Sequence, residues 1–116
     1  MAKILTLHRN MDFRRLYHRK ALVSPVLVLY VGKNRLGKNR IGITTGKKIG
    51  KAHLRNRARR VIREAYRALA PRLCTGLDFV FVARVRTTTC SMGEVKAAME
   101  ALLAPYFAEE APGKGE

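Results

Sequence analysis

Residues Lys47–Arg67 read KKIGKAHLRNRARRVIREAYR. At about 100° per residue, Leu54, Ala58, Val61, Ile62, Ala65, Tyr66 and Leu69 fall on one apolar stripe, which predicts a helix over roughly Ala52–Ala70, closed by Pro71. Asn56, Arg59, Arg60, Arg63 and Arg67 gather on the opposite side, with Arg55 and Arg57 on the two flanks. A helix that needed only solubility would mix Glu with its cations at i,i+4 spacing. Here Glu64 is the sole acid, so the arginines repel one another unless something anionic lies against them. The apolar stripe asks for a sheet and the basic face asks for a polyanion.

The neighbouring segments supply the sheet. Arg40–Thr45 (RIGITT) precedes the helix and Leu77–Val85 (LDFVFVARV) follows it, and both read as strands. Further out, Val26–Val31 is an apolar strand after Pro25, with a short piece expected at Leu22–Val23. Gly32–Asn39 is a basic turn, and Gly46–His53 is a Gly- and Lys-rich loop leading into the long helix. A first helix runs to about Arg19, capped by Asn10 or Asp12, with Phe13, Leu16 and Tyr17 on one side. Ser91-Met92-Gly93-Glu94 has the spacing of a capping box and opens a helix through about Leu103 or Tyr106. The order is helix, two or three strands, helix, strand, helix, an α+β sandwich of helices on a small sheet. Residues 1–107 form one domain, and 108–116 (AEEAPGKGE) read as a disordered tail.

Composition narrows the partner. A formal charge of +16 on 116 residues is extreme, and such a balance speaks of association with anions, not of fold. From Lys33 to Arg67 thirteen cations stand against Glu64, whereas five of the eight acids lie beyond Ser91. One side is therefore strongly positive and the C-terminal helix nearly neutral. No run approaches the roughly 18 apolar residues of a membrane span, and the N-terminus lacks a signal-peptide core. A cytoplasmic protein working on nucleic acid is expected, without a membrane. Six Arg and no Lys between Arg55 and Arg67 favour phosphate, because guanidinium makes forked contacts that ammonium cannot.

The materials for an autonomous active site are poor. His8, His18 and His53 lie near cations, no carboxylate pair is spaced for acid–base work, and neither a phosphate-binding P-loop nor an H-E-x-x-H helix occurs. Cys74 and Cys90 make no CxxC pair, so no zinc site is expected, and both read as small hydrophobes. Phe13 and Tyr17 are i,i+4 neighbours and Tyr30 lies in the first long strand. Leu16 shares their side, so core packing is one reading. The other is a groove where unpaired bases stack, with Arg14, Arg15 and Lys20 on the backbone and single-stranded RNA as occupant. From these features alone three readings stand: a subunit of an RNA-processing particle, a ribosomal or other structural RNA-binding protein without a processing role, and a protein-only nuclease.

The stretch KKIGKAHLRNRARRVIREAYR with Arg55-Asn56-Arg57 at its centre, RIGITTGKK before it, DFVFVAR after it and the Asp12-Phe13…Tyr17 start together resemble the protein subunit of bacterial ribonuclease P over about residues 8–107. The resemblance implies an α-β-β-β-α-β-α two-layer sandwich with a left-handed crossover, against the usual hand of such connections. It implies that catalysis belongs to an RNA, which removes the 5′ leader from precursor tRNA with Mg²⁺ held mainly by RNA, none bound tightly by the protein, and no catalytic residue on it. It places Lys47, Lys48, Lys51, Arg55, Asn56, Arg57, Arg59, Arg60, Arg63 and Arg67 on the catalytic RNA. Phe13, Tyr17 and Tyr30, with Arg14 and Lys20, would line the leader cleft. One monomeric protein per RNA is expected.

Overall fold

The structure, a computed structural model, describes residues 4–108. The expected tail lies outside the described residues apart from Ala108. Strands β1 (Leu5–Thr6), β2 (Leu22–Val23), β3 (Leu27–Lys33), β4 (Arg40–Thr44) and β5 (Leu77–Ala83) form one sheet in the order β1-β4-β5-β3-β2. Helix α1 (Asn10–Tyr17) precedes β2, α2 (Ala52–Leu69) joins β4 to β5, and α3 (Met92–Leu103) follows β5. β3 runs antiparallel to β5, while β4 and β5 are parallel neighbours, so α2 is the crossover between them.

Alternation along the strands sorts the sheet into two faces. Leu27, Leu29, Ile41, Phe79 and Phe81 are almost wholly buried beneath α2 and α3. The predicted stripe of α2 meets them: Ala58, Ile62, Ala65, Tyr66 and Leu69 are buried, and Tyr66 packs 6.1 Å from Phe79 and 5.9 Å from Phe81, centroid to centroid. Burial pushes the Tyr66 hydroxyl up to about 12. From α3 come Val95, Met99 and Leu103, each fully buried.

The other face is smaller and only partly covered. Leu16 of α1, Leu7 and Val80 make a second cluster, with Phe13, Tyr30 and Val82 at its margin. Two bare backbone positions let α1 lie directly on the sheet. A Cβ at Gly32 would stand 2.5 Å from the Leu16 side chain, and one at Gly42 would stand 2.4 Å from the Phe13 ring. Beneath α1, Asp78 is fully buried and accepts from Arg15 Nη2 (2.6 Å), Arg40 Nη2 (2.8 Å), Arg40 Nε (2.9 Å) and Asn34 Nδ2 (2.8 Å). One carboxylate thereby binds α1, β4 and the β3–β4 turn to β5.

Several boundaries differ from the sequence expectation for identifiable reasons. The first helix starts at Asn10 behind Arg9, with no side-chain cap, and stops at Tyr17, not Arg19. Asp12 lies inside it and turns towards Arg15 and Arg40 (3.9 and 3.8 Å) rather than capping its start. β5 ends at Ala83, before Val85, because the buried Thr87 hydroxyl accepts the Arg84 N–H at 3.0 Å and bonds the Val26 carbonyl, pinning a 3₁₀ turn over Val85–Thr88. β1 was not expected: two residues of parallel edge carry no periodic signal. The loop before α2 holds a 3₁₀ turn at Lys47–Ile49, anchored by buried Ile49. Both cysteines are free, but only Cys90 is buried; Cys74 is exposed and so is no core residue.

The α3 start is as read from sequence. Ser91 Oγ accepts the Glu94 N–H at 3.2 Å, and the Glu94 carboxylate accepts the Ser91 N–H at 2.8 Å. Ser91→Ala is expected to cost about 1 kcal/mol by uncovering a helix-terminal N–H. Thermal unfolding checks it: a melting temperature lowered by roughly 4–8 °C is expected, and an unchanged one would mean the cap contributes nothing.

Candidate nucleic-acid interface

Helix α2 presents its cations as the sequence arranged them, but their partners come from elsewhere in the fold. Arg55 donates to the Gly50 carbonyl (2.8 Å), and Arg57 reaches the Thr88 and Cys90 carbonyls at 3.3 Å each. Arg59 donates to the Ile43 carbonyl (3.0 Å) and to Thr45 Oγ1 (2.8 Å), stitching α2 to the end of β4. All of these acceptors are neutral, so the guanidinium groups are oriented without losing charge. On this helix only Arg67 meets an acid among the described residues, Glu64 at 2.6 Å. Arg60 and Arg63 have no hydrogen bond or ion pair within the described chain, and Lys47, Lys48, Lys51 and Asn56 stand exposed. His53 is exposed in the first turn of α2.

On the far side of the sheet the aromatic trio forms a row. Tyr17 lies 6.4 Å from Phe13 and 5.1 Å from Tyr30, centroid to centroid, the latter pair edge-on. Tyr17 is 40% exposed, and Phe13 and Tyr30 are half-buried, whereas Leu16 between them is fully buried. Leu16 therefore takes the core position, and the trio is left as a wall open to solvent on one side. The Tyr17 hydroxyl bonds Thr44 Oγ1 at 2.8 Å, and half-buried Val28 and Val82 extend the floor. Thr44, Val28 and Val82 were not singled out in the sequence, since only the strand register brings them under Tyr17 and Tyr30.

The basic neighbours of the trio divide. Arg14 and Lys20 are exposed and have no partner among the described residues. Arg15 is not available to an RNA backbone as the sequence suggested, because Asp78 and the Lys33 carbonyl (3.3 Å) hold it. The carboxylate that captures it lies 63 residues away.

A family described as Ribonuclease P matches residues 1–106 of this chain. The chain belongs to the ribonuclease P protein family. The ribonuclease P protein component of Alkaliphilus oremlandii is 36% identical over 104 residues, spanning 89% of this chain and 91% of that protein. Among solved structures, the RNase P protein of Staphylococcus aureus superposes with a TM-score of 0.78 at 27% identity, covering 89% of this chain and 95% of that one. That of Thermotoga maritima gives 0.77 at 27% identity, covering 86% and 96%. As a ribonuclease P protein component, the chain is part of a tRNA-processing endoribonuclease and a partner of the ribonuclease P RNA. Within the described residues no helix is long and apolar enough to cross a membrane.

Proposed function

We propose that the protein supports a catalytic RNA that removes the 5′ leader from precursor tRNA, and that its two surfaces divide the work. The cations of Lys47–Lys51 and α2, namely Lys47, Lys48, Lys51, Arg55, Arg57, Arg59, Arg60, Arg63 and Arg67 with Asn56 among them, lie on the phosphates of the catalytic RNA. Phe13, Tyr17 and Tyr30 take the single-stranded leader, with Arg14 and Lys20 on its backbone. The observation that carries this reading is the largely unneutralised charge of α2: Arg55, Arg57 and Arg59 are held in place by carbonyl and hydroxyl oxygens, and among the described residues only Arg67 of this helix pairs with a carboxylate. Bond cleavage belongs to the RNA. Mg²⁺, required by the holoenzyme, is assigned to RNA phosphates; among the described residues no group of three or more His, Cys, Asp or Glu is placed to hold a metal. One monomeric protein per RNA, acting in the cytoplasm, completes the proposal.

The deciding experiment is reconstitution with the cognate RNA at low Mg²⁺. Added protein should raise precursor-tRNA cleavage, and no enhancement at any Mg²⁺ concentration would sink the reading. Tyr17→Ala should spare assembly with the RNA and reduce the preference for leader-bearing over leaderless tRNA by about 5- to 150-fold, since a stacked base contributes roughly 1–3 kcal/mol. Phe13→Ala should act in the same direction, with circular dichroism reporting whether the ring's packing on Gly42 also matters to the fold. An unaltered leader preference in both variants would return the trio to a purely structural role.

A further inference from the structure

The aromatic row and the arginine helix lie on opposite faces of the sheet, yet they meet at one place. The row starts at Tyr30 on β3 and ends at Phe13, whose ring sits over bare Gly42 on β4, next to the sheet's edge. β1 covers only the Arg40–Ile41 end of β4, and the Leu7 N–H closes on the Ile41 carbonyl at 2.8 Å. Beyond that point the edge is open, and a cavity of about 230 Å³ opens there. Leu7, Phe13, Gly42 and Ile43 line it together with Arg59 and Arg63 of α2. The pocket thus brings one aromatic ring and two arginines together at a single sheet edge.

We infer that this edge pocket is a nucleotide subsite for single-stranded RNA, in which a leader strand running along Tyr30, Tyr17 and Phe13 turns round β4 towards α2. The inference rests on the leader-cleft reading above and extends it. The chemistry is specific to a nucleotide: the Phe13 ring offers a base a stacking surface, and the arginines offer its phosphate forked donors. Arg59 is already aimed by the Ile43 carbonyl and Thr45 Oγ1 and keeps its charge. Arg63 has no hydrogen-bond or ion-pair partner among the described residues, so a phosphate displaces none of these in binding it. Of the helix cations these two therefore serve the leader as well as the catalytic RNA. Arg60 lines a separate hollow with Val61 and Met92, which Arg63 also borders, and is not among the residues lining this pocket.

The test uses the holoenzyme and two precursor tRNAs, one with a leader long enough to cross the cleft and one with the leader cut back to the cleavage site. With the holoenzyme assembled at saturating protein, so that any lost contact with the catalytic RNA weighs on both precursors alike, Arg63→Ala should weaken binding of the long-leader precursor about tenfold more than that of the short-leader precursor, the loss of one charge-assisted contact. Arg60→Ala should affect both precursors alike. Arg63 makes no hydrogen bond or ion pair within the described chain, and circular dichroism of Arg63→Ala checks that the fold is kept. Equal losses on the two precursors, or no loss on either, would overturn the subsite. If Tyr17→Ala shows leader dependence and Arg63→Ala does not, only the edge pocket fails. If neither does, the leader-cleft reading fails with it.

Discussion

Raising salt from 50 to 200 mM is expected to weaken the complex with ribonuclease P RNA by about 10³- to 10⁵-fold, the range for six to ten neutralised phosphates. The number follows from charge left unspent. Between Lys33 and Arg67 thirteen cations face one acid in sequence, and in the fold that acid, Glu64, binds Arg67 alone. Among the described residues Arg40 is the other cation of this stretch drawn into carboxylates, by Asp78 and Asp12. Each remaining cation that meets a phosphate releases a counterion, and log affinity falls in proportion to log salt. Arg60→Ala is the cleanest single probe, because Arg60 has no hydrogen bond or ion pair among the described residues to lose. It should weaken binding and reduce the steepness of the salt dependence by about one. Arg57→Ala should also weaken assembly, but it additionally cuts the contacts to Thr88 and Cys90 that join α2 to the start of α3. Equilibrium binding across a salt series checks all three. A nearly flat profile would mean the helix cations lie in solvent.

Asp78→Asn is expected to be the most damaging single change to stability, at about 3 kcal/mol near neutral pH. Removing one partner of a buried ion pair strands the other, at a cost of roughly 3–5 kcal/mol. The lower end applies here because the guanidinium groups of Arg15 and Arg40 keep some access to water. The melting temperature should fall by roughly 10 °C or more. The pH dependence has a definite sign. Burial pushes the Asp78 carboxyl up, but hydrogen bonds from Arg40, Asn34 and Arg15 outweigh it and hold the group below the usual carboxylate range. Its contribution is therefore complete above the unfolded-chain value of about 4 and is lost as pH falls from there through the depressed folded value. The native protein and the variant should differ by a constant amount from pH 5 to 8 and converge below pH 4. Chemical denaturation at several pH values measures this, and a gap that persists unchanged to pH 2 would show that the carboxylate's charge is not what holds α1 down.

What was legible in the sequence was whatever repeats locally. The α2 stripe, the capping box at Ser91 and the strand at Leu77 each signal themselves within a few residues, because helix and strand periods are properties of the backbone. With the Arg55-Asn56-Arg57 stretch they were enough to reach the fold class and the family. The sequence could not decide whether Phe13, Tyr17 and Tyr30 belong to a core or a cleft, since residues one apart on the same helix side look alike until packing chooses. Leu16 took the interior and Tyr17 was left 40% exposed.

Composition and periodicity by themselves determined that one helix would be apolar on one side and cationic on the other. Only the tertiary structure decided which cations keep their charge and which surfaces meet. Arg15 reaches Asp78 across 63 residues, Arg40 reaches it across 38, and Arg59 reaches Ile43 across 16. Such pairs leave no trace in any local window, because they are set by strand register and by the seating of α1 on Gly32 and Gly42. Charge is a property of residues, but whether it stays available to a partner depends on what the folded chain brings beside it.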